Sequence, residues 1–157
     1  MSYRGKIKLK KLSHPEKYMG KGEYVSYDSL WERKMIYSFD KDVSVISYCR
    51  EPFGIPYYFE GDKKNHKYMI DFYVKIKDEV GNISEQLIEV KPYKQTMAPK
   101  VSLTAKTKKP TKGYYKRLWV WHKNQAKWLA AKALCEKNNW KFIILHENNT
   151  NFTKRKK

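Results

Sequence analysis

Two strand-like runs, Tyr68 to Val74 and Gln86 to Lys91, flank the turn sequence Asp78-Glu79-Val80-Gly81-Asn82. Alternating apolar runs joined by such a turn fold as an antiparallel hairpin. This hairpin carries charge where an apolar strand should have none. Asp71 lies in the middle of the first run, and Glu89 and Lys91 lie in the second. Strand side chains alternate between faces, so Glu89 and Lys91 share one face and Val90 takes the other. An acid inside an apolar strand is costly to bury without a partner. Two such acids and an ammonium on neighbouring strands point to a shared site. Carboxylates suit Mg²⁺, a hard cation that takes oxygen ligands.

The charge balance names a class of partner. The chain has 34 Lys+Arg against 16 Asp+Glu, a formal net charge of +18. So large an excess implies a polyanion, with double-stranded DNA first and a merely solubilising surface as the alternative. A hydrophobic fraction of 41% and an aromatic fraction of 15% exclude a disordered chain. The length of 157 residues suits one domain with a sizeable core. Cys49 and Cys135 are far apart, which argues against a disulfide framework or a zinc cluster. The N-terminus lacks an apolar signal core, and no apolar stretch approaches the roughly 18 residues of a membrane span. These features predict a soluble protein of a reducing cytoplasm, with no membrane partner.

Along the chain, residues 1–27 are basic and polar and read as an irregular arm lying on DNA. Asp28-Ser29 starts a helix with Glu32 in its first turn, where the helix dipole favours an acid. That helix runs through Leu30, Trp31, Met35, Ile36 and Phe39 and stops near Asp40. Val43 to Tyr48 and Phe53 to Phe59 read as strands, the second bent at Pro56. Asn65 to Lys77 reads as one strand, with Tyr68, Ile70, Phe72, Val74 and Ile76 on one face and Met69, Asp71 and Tyr73 on the other. Ser84 to Lys91 returns beside it. Residues 97–113 are basic and punctuated by breakers, and read as a mobile loop. Tyr114 to Trp121 suggests a short helix. Asn124 reads as the N-cap of a second helix ending near Asn138. Trp140 to His146 reads as a last buried strand, followed by a basic tail at 154–157. The order predicts a single α/β domain over 1–157, with a mixed central β-sheet flanked by helices.

The DNA-binding surface is expected at Lys94, Lys108, Lys109, Lys112, Lys116, Arg117, Asn124 and Lys127, making phosphate contacts that fix register without reading sequence. For Asn124 and Lys127, capping and a solvated surface are the competing readings. Tyr114, Tyr115, Trp119 and Trp121 stand among Lys and Arg, where they could stack on bases. Aromatics at such spacings also pack as core.

Glu32 on a helix, Asp71 on one strand and Glu89-Val90-Lys91 on the next resemble the PD-(D/E)xK nucleases. The proline of that motif is absent, since Ile70 precedes Asp71. Ser29-Leu30-Trp31-Glu32, Tyr68-Met69-Ile70-Asp71-Phe72, Ile88-Glu89-Val90-Lys91-Pro92 and Lys127-Trp128-Leu129-Ala130-Ala131 are similar to the head-completion nucleases of T4-type tailed phages. These form part of the TnsA-like branch of the superfamily. The resemblance spans residues 24–147.

The resemblance implies a restriction-endonuclease-like core and a metal-dependent DNA endonuclease using Mg²⁺, with Mn²⁺ able to take its place. Glu32, Asp71, Glu89 and Lys91 would be catalytic. Asp71, Glu89 and the Val90 carbonyl would hold the ion. Glu32 would hold a second ion or orient water, and Lys91 would position the attacking water. The implied role follows genome packaging: trimming protruding DNA so that neck and tail can join. Portal and neck proteins would be the partners, first in the host cytoplasm and then in the virion head–neck region. Two alternatives stay open, a non-enzymatic DNA-binding virion or neck protein and a Holliday-junction resolvase of the same fold. The intact acid–acid–Lys set favours an enzyme.

Overall fold

The computed structural model describes residues 3–149, so the basic tail at 154–157 lies outside the described residues. The elements run β1 (Gly5–Lys8), β2 (Tyr24–Tyr27), α1 (Leu30–Lys41), β3 (Val45–Arg50), β4 (Gly54–Phe59), β5 (Lys64–Met69), β6 (Phe72–Lys77), β7 (Ile83–Val90), α2 (Tyr93–Thr96), α3 (Lys112–Asn138) and β8 (Lys141–Leu145). The central sheet has the order β3-β6-β7-β8. Its first two pairings are antiparallel and β7–β8 is parallel, which makes the sheet mixed, as the sequence predicts.

Helices cover both faces of this sheet. α1 starts because Ser29 Oγ accepts from the Glu32 N–H at 3.1 Å. The Glu32 carboxylate reaches back to the Asp28 N–H and the Ser29 hydroxyl, each at 3.0 Å. This is a variant of the capping box, in which the Glu32 carboxylate takes the N–H one residue before the N-cap. Met35, Ile36 and Phe39 follow Glu32 at helical spacing and pack on Tyr48, Phe72, Val74 and Ile88. On the other face, Trp128, Ala131 and Cys135 of α3 pack on Leu87 of β7 and on Ile55 and Tyr57 of β4.

Three elements differ from the sequence reading. The strand expected over Asn65 to Lys77 breaks at Ile70-Asp71. β5 pairs with β4 in a separate hairpin, and β6 enters the central sheet. The expected apolar alternation survives the break, with Tyr68, Ile70, Phe72 and Val74 all buried. The first two pack on the α3 side and the last two on the α1 side. A period of two records burial but not which core is entered, so the sequence hides the crossing. Pro56 sits in β4, which among the described residues pairs with β5 alone, so a missing N–H is tolerated.

The second difference is α3, a single helix of 27 residues. Asn124 lies in its interior and does not cap it. The cap is Thr111, whose side chain accepts from the Tyr114 N–H at 3.1 Å. No glycine or proline occurs between Gly113 and the αL residue Asn139, so nothing stops the helix at Asn124.

The third is the segment expected as an irregular arm. β1 and β2 form an antiparallel hairpin, and Ile7, Leu12 and Val25 are buried against α1. The Asp40 carboxylate accepts from the Ser13 and His14 N–H groups at 2.8 and 2.7 Å. The Lys17 ammonium donates to the Asp40 carbonyl at 2.9 Å. Three well-spaced apolar residues are too sparse to show a period, yet each is placed inward.

Candidate active site

β6 and β7 bring the charged set together. Their register places Phe72 opposite Ile88 and Tyr73 opposite Leu87. Tyr73 and Leu87 face α3, and Asp71 and Glu89 sit two residues beyond them on that side. Glu89 is only 2% exposed, so each of its oxygens needs a partner. Oε1 lies 2.9 Å from the Lys91 ammonium. Oε2 accepts from the Tyr68 hydroxyl at 2.5 Å. Burial, then the Glu89 charge, raises the Tyr68 pKa far above its ordinary value, so the phenol stays a donor.

Asp71 occupies the break between β5 and β6. Its Oδ2 accepts from the Val90 N–H at 2.7 Å, and its carbonyl accepts from the Glu51 N–H at 2.9 Å. Burial first, then the Glu89 carboxylate, pushes the Asp71 carboxyl up to about 7, against the opposing pull of Lys91. Burial opposes the charge of Lys91, but Glu89 and Asp71 outweigh it and raise the Lys91 pKa. Two carboxylates that disfavour each other's charge form a site that a cation relieves. Among the described residues no group of three or more His, Cys, Asp or Glu gathers around one point. The Asp71 and Glu89 carboxylates are hard oxygen donors, the kind Mg²⁺ takes when it is held by one or two carboxylates and keeps several waters.

Glu32 is buried at the start of α1 and engaged by Arg50, a residue the sequence reading passed over. Arg50 Nη2 lies 2.7 Å from Glu32 Oε2 and 2.9 Å from Asp28 Oδ2, and Nη1 lies 2.9 Å from Glu51 Oε2. Burial works against the guanidinium charge, but the hydrogen bond and charge of Glu32, with Glu51 and Asp28, outweigh it and raise its pKa. Glu51 adopts φ 46°, a left-handed conformation costly for a side chain with Cβ. From there it donates to Asp71 and pairs with Arg50 at once. Glu32 contributes to the field on Asp71 and Lys91, but its oxygens already hold Arg50, Ser29 and the Asp28 N–H. A signal for Arg50 was present: an arginine closing an otherwise apolar strand needs an acid.

Lys127 projects from α3 to this site. Its ammonium stands 5.6 Å from the centroid of the Tyr68 ring. Burial, then Lys91, lowers its pKa. The other residues expected on DNA are dispersed. Lys94 lies on α2, Lys108 and Lys109 lie in the loop before α3, and Lys112, Lys116 and Arg117 lie in the first turns of α3, all exposed. Arg117 donates to Ser102 Oγ at 3.0 Å. Asn124 is buried in the middle of the helix.

A mixed sheet covered by helices, with Asp71 just before β6 and Glu89-Val90-Lys91 at the end of the neighbouring β7, defines the class. Residues 42–147 match the N-terminal domain of TnsA-like endonucleases, and the chain belongs to that family, with its restriction-endonuclease-like fold. The match takes in Asp71, Glu89, Lys91 and Lys127 and begins after Glu32. The chain is also 34% identical over 148 residues to the head completion nuclease of Enterobacteria phage T4, covering 94% of this chain and 93% of that protein.

Proposed function

We propose that this protein is a divalent-metal-dependent DNA endonuclease that acts in phage head completion, trimming DNA that protrudes from a filled head so that neck and tail can join. The observation that carries the reading is the Glu89–Lys91 pair at 2.9 Å beside Asp71, within a chain of the TnsA-like family. The relative's name supplies the setting in the phage head.

Asp71, Glu89 and the Val90 carbonyl would hold the ion. Mg²⁺ bound there supplies Lewis-acid stabilisation of charge on the phosphate oxygens. Lys91 places a compact positive charge beside Glu89, where it orients water toward phosphorus and offsets charge on the phosphate. Tyr68 holds Glu89 in its rotamer. Glu32 adds negative charge beside Asp71 and Lys91, and holding a second ion would require it to release Arg50. Lys127 brings a second ammonium to the same phosphate. The remaining basic surface contacts phosphates on either side. The charge also suits an acidic face on a portal or neck protein.

The test is a cleavage assay on linear, nicked and four-way DNA, with Mg²⁺, with Mn²⁺ and with chelator. Wild type should cut only with metal. Asp71→Ala and Glu89→Ala should not cut while keeping the wild-type circular dichroism. Full cleavage by the double variant would sink the reading. Preference for four-way junctions over linear duplex would move it to a resolvase.

A further inference from the structure

Lys112, Lys116, Trp119, Lys123 and Lys127 recur along α3 at steps of four, three, four and four residues, which places them on one helix face. At 1.5 Å per residue the stripe is about 22 Å long. Exposure falls along it: Lys112 and Lys116 are exposed, and Lys123 and Lys127 are half-buried. It ends where Lys127 meets Tyr68, the partner of Glu89. The stripe therefore runs from open surface into the candidate active site.

Trp119 interrupts the lysines. It is 45% exposed, so it is not core. Its ring meets Phe59 edge-on, with centroids 5.0 Å apart and planes at 89°. The Lys123 ammonium stands 5.8 Å from the same Phe59 ring. Gly61 packs close beneath: a Cβ there would lie 2.5 Å from Phe59 and 3.0 Å from Trp119. Beside the indole is an open groove lined by Trp119, His122 and Ala126 of α3 and by Tyr58, Phe59 and Glu60 of the facing strand and turn. A firmly seated indole, half exposed within a row of ammonium groups, has the makeup of a base-stacking platform on an electrostatic track.

We propose that this face of α3 is the bed for one DNA strand entering the site, and that Trp119 stacks on an unpaired base of that strand. The occupant is a nucleobase and not an apolar peptide, because the groove shares Trp119 with the lysine stripe, and that stripe ends at Lys127 against Tyr68, the partner of Glu89. The inference rests on the DNA-cleaving reading and deepens it. The preferred substrate has a single-stranded stretch a few nucleotides from the cut, because a paired base cannot offer its face to the indole. Lys112, Lys116, Lys123 and Lys127 hold the phosphates, and Trp119 takes the base.

The experiment uses the full-length protein and two DNAs of equal length, a blunt duplex and one with a single-stranded overhang carrying 2-aminopurine. Binding is measured with Ca²⁺ in place of Mg²⁺ so that no cleavage is needed. Wild type should bind the overhang DNA more tightly and quench the probe. Trp119→Ala should weaken overhang binding by about ten- to a hundredfold, abolish the quench and leave blunt-duplex binding unchanged. Trp119→Phe keeps a π-face and should retain most of both signals, which controls for lost packing on Phe59. Equal loss on both DNAs, or no loss on the overhang, overturns the platform. Cleavage of linear DNA by the same preparations separates the two ideas. Wild type that cuts while Trp119→Ala binds normally sinks only the platform. Wild type that never cuts, with the Trp119 effects intact, sinks the nuclease reading and leaves a single-strand-binding protein.

Discussion

The hydroxyl of Tyr68 donates to Oε2 of Glu89 at 2.5 Å and ties the β4–β5 hairpin to the central sheet at the candidate site. Tyr68→Phe removes one partner of a buried carboxylate, a loss of about 1–3 kcal/mol in metal-free protein. The Tm should fall by several degrees without metal and by less with MgCl₂, because the ion takes up the carboxylate charge. Single-turnover cleavage should drop about tenfold with DNA affinity unchanged. Scanning fluorimetry with and without MgCl₂, beside a rapid-quench assay, reads both. An unchanged Tm and rate would mean that the hydroxyl merely fills space.

Asp71 ties stability to pH in a way opposite to most carboxylates. Its folded pKa, about 7, lies above the unfolded value of ~3.9. The native state therefore binds the proton more tightly than the unfolded chain does. Its contribution is fully present below about pH 4 and is lost as pH rises through about 7. The loss is on the order of a few kcal/mol. In chelator, Asp71→Asn should be more stable than wild type at pH 8, with the difference shrinking toward pH 4. Urea melts across that range, repeated with MgCl₂, measure it. A wild type whose metal-free stability rises from pH 4 to 8 at the same rate as the variant's would contradict the crowded-carboxylate picture.

Lys91 separates chemistry from binding. It sits 2.9 Å from Glu89, one cation among many on a basic chain. Lys91→Ala should lower turnover by several orders of magnitude and DNA affinity by less than tenfold. Lys91→Arg should also be defective, because a planar guanidinium does not replace a compact ammonium. Single-turnover rates beside equilibrium binding give the split. Lost affinity with an unchanged rate would make Lys91 a phosphate contact only.

Much of this arrangement was legible in the sequence because the signals are local. The Ser29–Glu32 capping box starts α1 where expected, and the Asp78–Asn82 turn sets the β6–β7 hairpin. The alternation around Asp71 and Glu89 gives their shared side. The partners of Arg50 and Tyr68 were not legible, because each finds its acid far along the chain: Glu32 lies 18 residues from Arg50, and Glu89 lies 21 from Tyr68. The long α3 was missed for a different reason. Asn124 has a capping side chain, but a cap also needs a non-helical chain before it, and Tyr114 to Lys123 supplies none. That error concealed the lysine stripe, since two short helices would not align Lys112 with Lys127.

Affinity should report that stripe through salt. Wild-type binding to duplex DNA should weaken steeply, with log Kd rising against log salt by about 0.9 per phosphate neutralised. Replacing Lys116 and Lys123 together by Ala should lower the slope by about two contacts without altering sequence preference. Replacing Lys75 and Lys77, which lie on β6 and outside the α3 stripe, should lower it less. Anisotropy titrations from low to moderate salt measure all three. Equal slopes for the three proteins would mean that the positive charge is spread evenly and that α3 has no special part.

The role in head completion can be tested in the phage itself. A nuclease that trims whatever DNA protrudes from a packaged head must be tolerant of sequence. The candidate site fits that need, because the contacts proposed for it are to phosphates and to the face of a base, which carry no sequence information. A phage lacking its head-completion nuclease, supplied with this protein, should recover infectious particles with joined necks and tails. Asp71→Ala, which keeps the basic surface and the fold, should leave filled heads that do not mature into infectious particles. Plaque counts and electron microscopy of the particles distinguish the cases. Rescue by Asp71→Ala equal to wild type would show that assembly uses the protein as a DNA-binding or docking component, with cleavage serving another step.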